Sequence, residues 1–376
     1  MQNQIPNNWQ KIKLGEVLEM KYGRGLTEKN RQEGDIPVYG SSGIIGYNKD
    51  AFIQTTGIII GRKGNVGSVY FSSSSFYPID TVYYVDSLKK QGDLKFFYYL
   101  LQRIPFKRIG SDVGVPGLNR DMAYGLDVII PDDENEQKRI ASILSSFDDK
   151  IELNNKIAKT LEGMAQAIFK EWFVRSKNNN WREGILGQLI SVKHGFAFPS
   201  NKFKKEGDIP VIKIKNIKED NSINLNDMEF VNLDDFKSLE NFKLINGDIL
   251  VALTGATTGK IGLLIGNYSS YLLNQRVGKI QPMKSYYKWF VYVFLTRQIY
   301  RDLLLGFADG SAQGNLSPSQ IENIKLIIPS DDFLLKFDEV INSFYQKIFS
   351  VKLENQKLTE LRDLLLPKLM KGEIRV

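Results

Sequence analysis

The chain has 376 residues, of which 42% are hydrophobic and 25% charged, a balance typical of globular proteins. It contains no cysteine and a single histidine, His194, which excludes disulfides, thiolate zinc sites and any catalytic pair of histidines. The net charge of +7 favours contact with DNA or RNA but is too small for a protein that wraps nucleic acid.

No segment of the sequence predicts contact with a membrane. None of its windows of about 18 residues is both apolar and uncharged, and the N-terminal residues MQNQIPNNWQ lack the apolar core of a signal peptide. We therefore expect a cytoplasmic protein, and the absence of cysteine is compatible with that compartment.

Residues 1–132 predict a mixed domain of short strands and helices. A helix is expected at 95–103, and glycine-bounded runs of β-branched or aromatic residues predict the strands. These strands are expected at 36–39, 57–60, 66–71 and 81–85.

Residues 133–176 predict one long helix. The stretch 134–174 contains no proline and a single glycine, and its apolar residues recur at intervals of three and four. At 1.5 Å per residue such a helix would be about 60 Å long, and its apolar seam requires a partner helix. The seam consists of Ile140, Leu144, Phe147, Ile151, Ala158, Leu161, Ala165, Ile168 and Trp172.

Residues 177–330 predict a second mixed domain, followed by a second long helix at 331–376. Strands are expected at 209–214, 248–253 and 261–265, and a helix at 287–305. Two long helices with apolar seams in one chain predict an intramolecular antiparallel coiled coil. The second seam consists of Val340, Phe344, Ile348, Val351, Leu358, Leu361, Leu365 and Leu369.

Three residues of these helices carry further expectations. Asn155 and Asn355 occupy equivalent places, four residues after Ile151 and Val351. Each lies either inside the seam, where a polar residue would fix the register, or at its solvated edge. Pro367 should kink or end the last helix.

The second half of the chain repeats the first. Asn8-Trp9 and Leu14-Gly15 return as Asn180-Trp181 and Leu186-Gly187, and the motif GDIPV recurs unchanged at 34–38 and 207–211. Conserved order over most of the chain is the signature of a tandem duplication. The expected fold is therefore α+β, with two mixed α/β domains separated by the paired helices and related by a pseudo-two-fold axis. Further matches join 64–67 to 259–262, 96–101 to 290–295 and 126–131 to 324–329.

Two glycine-rich loops, at 61–67 and 255–260, invite comparison with phosphate-binding loops. A Walker loop has four residues between its glycines and a Ser or Thr after the lysine, whereas Gly255 and Gly259 enclose three residues and Ile261 follows Lys260. The loops therefore either join two strands only, or also carry side chains to DNA.

Pro131-Asp132 and Glu136-Gln137-Lys138 mimic a nuclease pattern, but acidic residues at the start of a helix are more simply explained by capping. No two prolines are adjacent, so the chain lacks the Asn/Asp-Pro-Pro-Tyr motif of amino-methyltransferases.

Polar clusters in turns are the best candidates for contacts with base edges or phosphates. Arg and Lys suit guanine, and Asn and Gln suit adenine, because their donors and acceptors match the edges in the major groove. The candidates are Lys21, Arg24, Ser41, Ser42, Arg62, Lys63, Asn65, Asn119, Arg120, Lys213, Lys215, Asn216, Thr257, Thr258, Lys260, Gln313 and Asn315.

Several motifs together resemble one known family. They are EQKRIA at 136–141, IFKEWF at 168–173, LLLPKLMKGEI at 364–374 and the duplicated Trp…Leu-Gly domain starts, with IPVYGSSGIIG at 36–46 and GRKG at 61–64. With these motifs the chain resembles, over nearly its whole length, the specificity (S) subunits of type I restriction–modification enzymes.

The resemblance implies that each domain is a target recognition domain for one half of a bipartite DNA sequence, and that the helices set the spacing between the halves. It also implies a subunit without catalytic centre, metal or cofactor. Two methyltransferase subunits that bind S-adenosylmethionine would dock on it, and motor-nuclease subunits that use ATP and Mg²⁺ would join them. The alternatives are a recognition subunit of another bipartite system, a nuclease, or a coiled-coil structural protein.

Overall fold

The computed structural model describes residues 5–109, 117–176, 181–309 and 315–376. The chain forms two compact units. Unit 1 comprises Met1–Lys150 and Leu358–Val376, and unit 2 comprises Ile151–Lys357. Each unit therefore contains one globular domain together with a part of both long helices.

In its described residues, the first domain is built from short strands and three short α-helices. Its strands are β1 (Trp9–Lys13), β2 (Lys21–Tyr22), β3 (Ile36–Gly40), β4 (Gly43–Asn48), β5 (Gly57–Gly61), β6 (Val69–Ser72), β7 (Tyr77–Pro78), β8 (Val82–Val85) and β9 (Asp127–Pro131). Its helices are α1 (Leu14–Val17), α2 (Leu94–Gln102) and α3 (Arg120–Tyr124).

Three sheets organise the first domain, with strand orders β2-β8-β5-β6, β4-β3-β7 and β1-β9. The central strand β5 is buried throughout, and its alternating side chains enter different cores. Ile58 and Ile60 pack with Phe96 of α2, whereas Ile59 packs with Tyr39 of β3. Side chains on one face of β5 thus pack the sheet β2-β8-β5-β6 against α2, and those on the other face pack it against the sheet β4-β3-β7.

The first long helix, α4, spans Glu134–Phe169 and continues as a π-helical turn over Lys170–Arg175. It begins where Asp133 accepts a hydrogen bond from the backbone N–H of Asn135, at 2.9 Å. The residues that mimic a nuclease pattern stabilise this start. Glu136 accepts a hydrogen bond from Trp9 Nε1, at 3.1 Å, and Gln137 donates one to the carbonyl of Pro131, at 2.9 Å.

The second domain repeats the construction of the first. Its strands are β10 (Arg182–Ile185), β11 (Ile190–His194), β12 (Ile209–Ile212), β13 (Glu229–Val231), β14 (Lys243–Leu244), β15 (Ile249–Ala252), β16 (Ile261–Leu263), β17 (Tyr271–Leu273), β18 (Val277–Pro282) and β19 (Lys325–Ile328). Its helices are α5 (Lys288–Leu295), α6 (Gln298–Asp309) and α7 (Pro318–Glu322), and the second long helix, α8, spans Asp331–Leu369.

The sheet orders confirm the duplication. The second domain has a sheet β11-β18-β15-β16, a sheet β13-β12-β17-β14 and a pair β10-β19. The backbone N–H of Leu14 donates to the carbonyl of Leu126, at 2.9 Å, and Leu186 repeats this bond to Ile324, at 2.8 Å. Corresponding hydrogen bonds at corresponding positions show that the two domains share one topology.

The long helices pair antiparallel within each unit, as the sequence predicts. In unit 1, Arg362 of α8 forms an ion pair with Asp148 of α4, at 2.7 Å. In unit 2, Lys352 forms one with Glu162, at 3.1 Å. The later residue of α4 pairs with the earlier residue of α8, which defines the antiparallel direction.

The seam of α8 differs from the prediction at several positions. Val340 is 37% exposed and Leu361 is 49% exposed, whereas Ile341 and Tyr345 are buried. The predicted spacing assumed α4 as the sole partner, but α8 also packs against α5, where Tyr345 stacks on Trp289 with ring centroids 4.1 Å apart. Near Val340 the two partners therefore rotate the buried face of α8 away from the predicted one.

The other predicted seam residues are at least partly buried. The buried ones are Ile140, Leu144, Ala158, Ala165, Ile348, Val351 and Leu369. Ile168 and seven further positions are of intermediate burial. These seven are Phe147, Ile151, Leu161, Trp172, Phe344, Leu358 and Leu365.

The polar residue inside the helix pair is Asn154, which is fully buried, whereas Asn155 is exposed. Asn154 Nδ2 donates to Asn355 Oδ1, at 2.8 Å, and Asn355 Nδ2 donates to Asn155 Oδ1, at 2.9 Å. Asn155 thus lies at the solvated edge while still bonded to the partner helix. The three side chains are called the asparagine triad below.

One helix boundary differs from expectation, and at Pro367 the structure excludes the end of the helix that was one of the two predicted outcomes. The stretch 287–305 forms two helices, α5 and α6, because the first ends at Leu295 and the second begins at Gln298. Helix α8 continues past Pro367 and ends at Leu369, and Gly372 forms the following turn with φ of +66°.

Among the residues described, no helix is long and apolar enough to cross a membrane.

Candidate nucleic-acid interface

The first domain brings its glycine loop against the turn between β3 and β4. The Ser41 hydroxyl accepts a hydrogen bond from the backbone N–H of Asn65, at 3.3 Å, and Ser68 Oγ donates to the Ser41 carbonyl, at 2.6 Å. Ser42, Lys63 and Asn65 are exposed beside this contact. Four of the predicted residues, Ser41, Ser42, Lys63 and Asn65, therefore form one group.

A second group surrounds the ring of Tyr22, which is 53% exposed. The guanidinium groups of Arg62 and Arg120 lie 5.4 Å and 5.2 Å from the ring centroid. Tyr83 lies next to Tyr22, with ring centroids 5.1 Å apart, and burial raises the pKa of its hydroxyl to about 12. Tyr83 therefore remains neutral at physiological pH and adds apolar surface beneath the two arginines.

The remaining candidates of the first domain have other surroundings. Lys21 forms an ion pair with Asp86, at 2.7 Å, and its hydrogen bond to that carboxylate raises its pKa. Arg24 is exposed. Asn119 caps α3 by accepting hydrogen bonds from two backbone N–H groups, those of Asp121 and Met122.

In the second domain the predicted lysines are paired with carboxylates. Lys213 and Lys215 both donate to Glu229, and the Lys215 contact measures 2.6 Å. Burial would raise the pKa of Glu229, but the hydrogen bonds from the two lysines outweigh it and hold that pKa below its usual value. Lys213 Nζ also lies 3.1 Å from the centroid of the Phe203 ring. These charges are partly neutralised before any DNA is bound.

Glu219 neutralises two further cations in the same way. Its carboxylate lies 2.6 Å from Lys260 Nζ and 3.1 Å from Arg301 Nη2. The hydrogen bond from Lys260 is the main reason why the pKa of Glu219 is lowered. Thr257 contacts the carbonyl of Ile214, at 3.4 Å, which joins this loop to the one that carries Lys213 and Lys215.

Two of the predicted residues are buried and serve the fold. Asn216 is 4% exposed, and its side chain accepts from the N–H of Lys213 and donates to the carbonyl of Asn224. Thr258 is 4% exposed, and its hydroxyl donates to the carbonyl of Gly255, at 2.6 Å. Because both side chains hold turns inside the domain, neither is placed to contact a base. Asn315 is exposed, and Gln313 lies outside the described residues.

Comparison with known proteins identifies the family. The sequence model of the family described as type I restriction modification DNA specificity domain matches residues 6–163 and 178–363. The chain belongs to this family. It is a DNA specificity subunit of a type I restriction–modification system.

Relatives of the specificity subunit match it over most or nearly all of its length. The MjaIX specificity subunit of Methanocaldococcus jannaschii is 24% identical, and the alignment covers 99% of this chain and 95% of the relative. The HindI specificity subunit of Haemophilus influenzae is 27% identical over 69% of this chain and 71% of the relative. The crystal structure of an S subunit from Mycoplasma genitalium has the same fold, with a TM-score of 0.66, 19% identity and coverage of 98% and 97%.

Backbone hydrogen bonds correct the predicted correspondence between the glycine loops of the specificity subunit. The N–H of Arg62 donates to the carbonyl of Thr81, and the N–H of Leu253 donates to the carbonyl of Arg276, both at 2.9 Å. Leu253 therefore occupies the place of Arg62, whereas the predicted match of 64–67 to 259–262 would put Thr257 there. The glycines alone give a wrong match because the second loop has one residue more than the first between the two residues joined by its closing backbone hydrogen bond.

Sequence reasoning missed the acidic partners Glu219 and Glu229, and it did not single out Tyr83. No local pattern connects Glu219 to Arg301, since they are 82 residues apart in the chain. Within the described ranges, no group of three or more His, Asp or Glu side chains is placed to hold a metal ion.

Proposed function

We propose that the specificity subunit recognises an asymmetric bipartite DNA sequence, with one half-site contacted by each domain. The observation that carries this proposal is the duplication within a chain of this family. Two domains of one topology present different side chains at the same backbone position, Arg62 in the first and Leu253 in the second. Since direct contacts to base edges determine specificity, two such domains would recognise two different half-sites.

We propose that the paired helices determine the number of base pairs between the half-sites and dock two methyltransferase subunits. Both α4 and α8 contribute residues to both units. Large apolar side chains on these helices, among them Leu153, Met164 and Leu364, are exposed, and exposed apolar surface is typical of protein–protein contacts.

In this proposal the specificity subunit supplies recognition and assembly, and its partners supply the chemistry. The methyltransferase subunits would bind S-adenosylmethionine, and motor-nuclease subunits would bind ATP and Mg²⁺. Cleavage of target DNA by the purified chain with Mg²⁺ alone would contradict this division of roles.

Sequencing the methylated bases of the host genome, with and without the gene for this chain, tests the proposed function. We expect one bipartite motif to be methylated in the first strain and unmethylated in the second. An unchanged set of methylated motifs would contradict the proposal.

A further inference from the structure

We propose that Arg62 recognises a guanine in the half-site of the first domain, with Tyr22 as the platform on which its guanidinium group rests. This inference rests on the proposed function and adds the chemical identity of one base pair. It follows from the geometry of Arg62, from the charges around it and from a comparison with the second domain.

The guanidinium group of Arg62 is held along one edge. Nε and Nη2 both donate to the carbonyl of Asp80, at 3.1 Å and 2.5 Å. The group also lies over Tyr22 and within 5.9 Å of the Tyr83 ring centroid. A guanidinium carries five N–H donors in a rigid plane, so a bond along the Nε edge leaves the outer edge, formed by Nη1 and Nη2, available.

The charges of this cluster are not balanced by acids. In the part of the chain that the structure describes, no carboxylate forms an ion pair with Arg62 or Arg120, whereas nearby Lys21 is paired with Asp86. Arg120 shares the Tyr22 ring, and its Nε is buried without a hydrogen-bond partner. Two adjacent guanidinium groups without an acid favour the approach of an electronegative group from DNA.

Guanine fits the free edge of Arg62 better than the other bases do. It presents two acceptors, N7 and O6, side by side in the major groove, and a planar pair of N–H donors binds them together. A phosphate could also accept from this edge, but it requires no fixed plane, and the flexible Lys63 is equally able to contact it. The two hydrogen bonds to the Asp80 carbonyl fix the plane of the Arg62 donors, and contact with a base edge requires such a fixed plane.

The second domain shows that the fold does not need the cluster formed by Tyr22, Tyr83 and the two arginines. Strand pairing places Tyr22 opposite Tyr83, and His194 opposite Gly278, at the same step of corresponding sheets. The second domain therefore forms the same sheet without the aromatic pair and without the arginines, which favours a role in recognition over one in folding. The corresponding positions hold Tyr22, Arg62, Tyr83 and Arg120 in the first domain, and His194, Leu253, Gly278 and Pro318 in the second.

Two variants of Arg62 test the inference in the complete methyltransferase complex, by sequencing methylated bases in the host. With Arg62→Gln we expect one G·C position in the half-site of the first domain to lose discrimination by about ten- to hundredfold, because Gln does not match guanine. The other half-site and the spacer should be unchanged. Arg62→Lys should retain preference for guanine more than Arg62→Gln does, since lysine also donates to O6 and N7.

Lys63→Gln is the matched control, because it removes the neighbouring exposed charge. We expect weaker methylation at all sites with no change of motif. A half-site without a G·C pair would overturn the inference, as would a uniform loss with Arg62→Gln, the result expected of a phosphate contact. If Arg62→Gln abolishes methylation, equal loss with Arg62→Lys would also overturn it. A wild-type chain that specifies no motif would instead overturn the proposed function.

Discussion

At the scale of residues, the two domains differ in how their cations are balanced. Arg62 and Arg120 rest on an aromatic ring, whereas Lys260 and Arg301 share the carboxylate of Glu219. A lysine that already has an acidic partner gains less from a phosphate, because the existing ion pair must be broken first. The first domain should therefore supply more of the salt-dependent affinity for DNA.

Neutralising Glu219 should make the second domain bind DNA more tightly. In Glu219→Gln, Lys260 and Arg301 lose their shared counter-charge and become free to contact phosphates. We expect the slope of log K against log salt to steepen by about one unit for each cation that engages DNA. Binding of the assembled complex to target DNA at several salt concentrations measures this slope.

Glu240→Gln is the control for this measurement, because Glu240 pairs only with its neighbour Lys243 among the contacts described, at 2.6 Å. It should leave the slope unchanged. An equal slope in the wild type and in Glu219→Gln would show that Lys260 and Arg301 do not contact DNA.

Residue types and turns were predictable from the sequence, but their surroundings were not. The sequence identified Arg62 and Arg120 as candidates, since turns with Arg and Asn are common in DNA-binding surfaces. It could not separate them from Asn216, which has the same chemical character but is buried. Burial and ion pairing depend on residues distant in the chain, and a local pattern does not contain them.

At the scale of elements, the asparagine triad is the polar contact inside the helix pair that, beside the two ion pairs, distinguishes one alignment of the helices from its neighbours. Asn154 donates to Glu354 and Asn355, both at 2.8 Å, while its own Oδ1 is buried without a hydrogen-bond partner. A buried unsatisfied carbonyl is destabilising by about 1–3 kcal/mol. The triad thus lowers stability and raises the specificity of the register.

Replacing the buried Asn154 and its partner Asn355 by leucine should separate these two effects. In a double variant, Asn154→Leu with Asn355→Leu, we expect the free energy of unfolding to rise by about 1 kcal/mol, because the unsatisfied carbonyl is removed. The register should become less unique, so that methylated sites with more than one spacer length occur. Denaturant unfolding and methylome sequencing measure the two quantities.

The exposed Asn155→Leu serves as the control and should affect neither quantity appreciably. A lower stability in the double variant, together with a single spacer length, would show that the triad is a stabilising contact with no role in register.

Helices and the duplication were predictable because periodicity extends over tens of residues. The prediction of paired antiparallel helices is confirmed. The seam of α8 was wrong at Val340, because that part of the helix packs against two partners and a repeat of three and four residues records only one face. It was also wrong at Leu361, for which the structure gives no reason. The break between α5 and α6 at Thr296 and Arg297 was also missed, since two polar residues between apolar segments do not by themselves signal the end of a helix.

At the scale of the whole molecule, the length of the helices should determine the spacer in the target. Deleting residues 149–155 from α4 and 355–361 from α8 removes one heptad from each helix and keeps the seam in phase. It retains the ion pairs of Asp148 with Arg362 and of Glu162 with Lys352.

This double deletion also removes the asparagine triad, so its reference is the Asn154→Leu, Asn355→Leu variant. Relative to that variant we expect the helix pair to be shorter by about 10 Å, and every spacer length to be shorter by about three base pairs. Both half-sites should be unchanged, because neither domain is altered. Altered half-sites in the methylome, or an unchanged spacer, would contradict the role of the helices. A deletion in α4 alone is the control and should disrupt the pairing.

The central claim is that each domain recognises its own half-site, and an exchange of one domain tests it most directly. Residues 1–132 are replaced by the first domain of a specificity subunit whose motif is known, and the methylated bases of the host genome are sequenced. We expect a hybrid motif in which one half-site is that of the donor and the other is retained. A motif in which both half-sites change, or neither does, would contradict it.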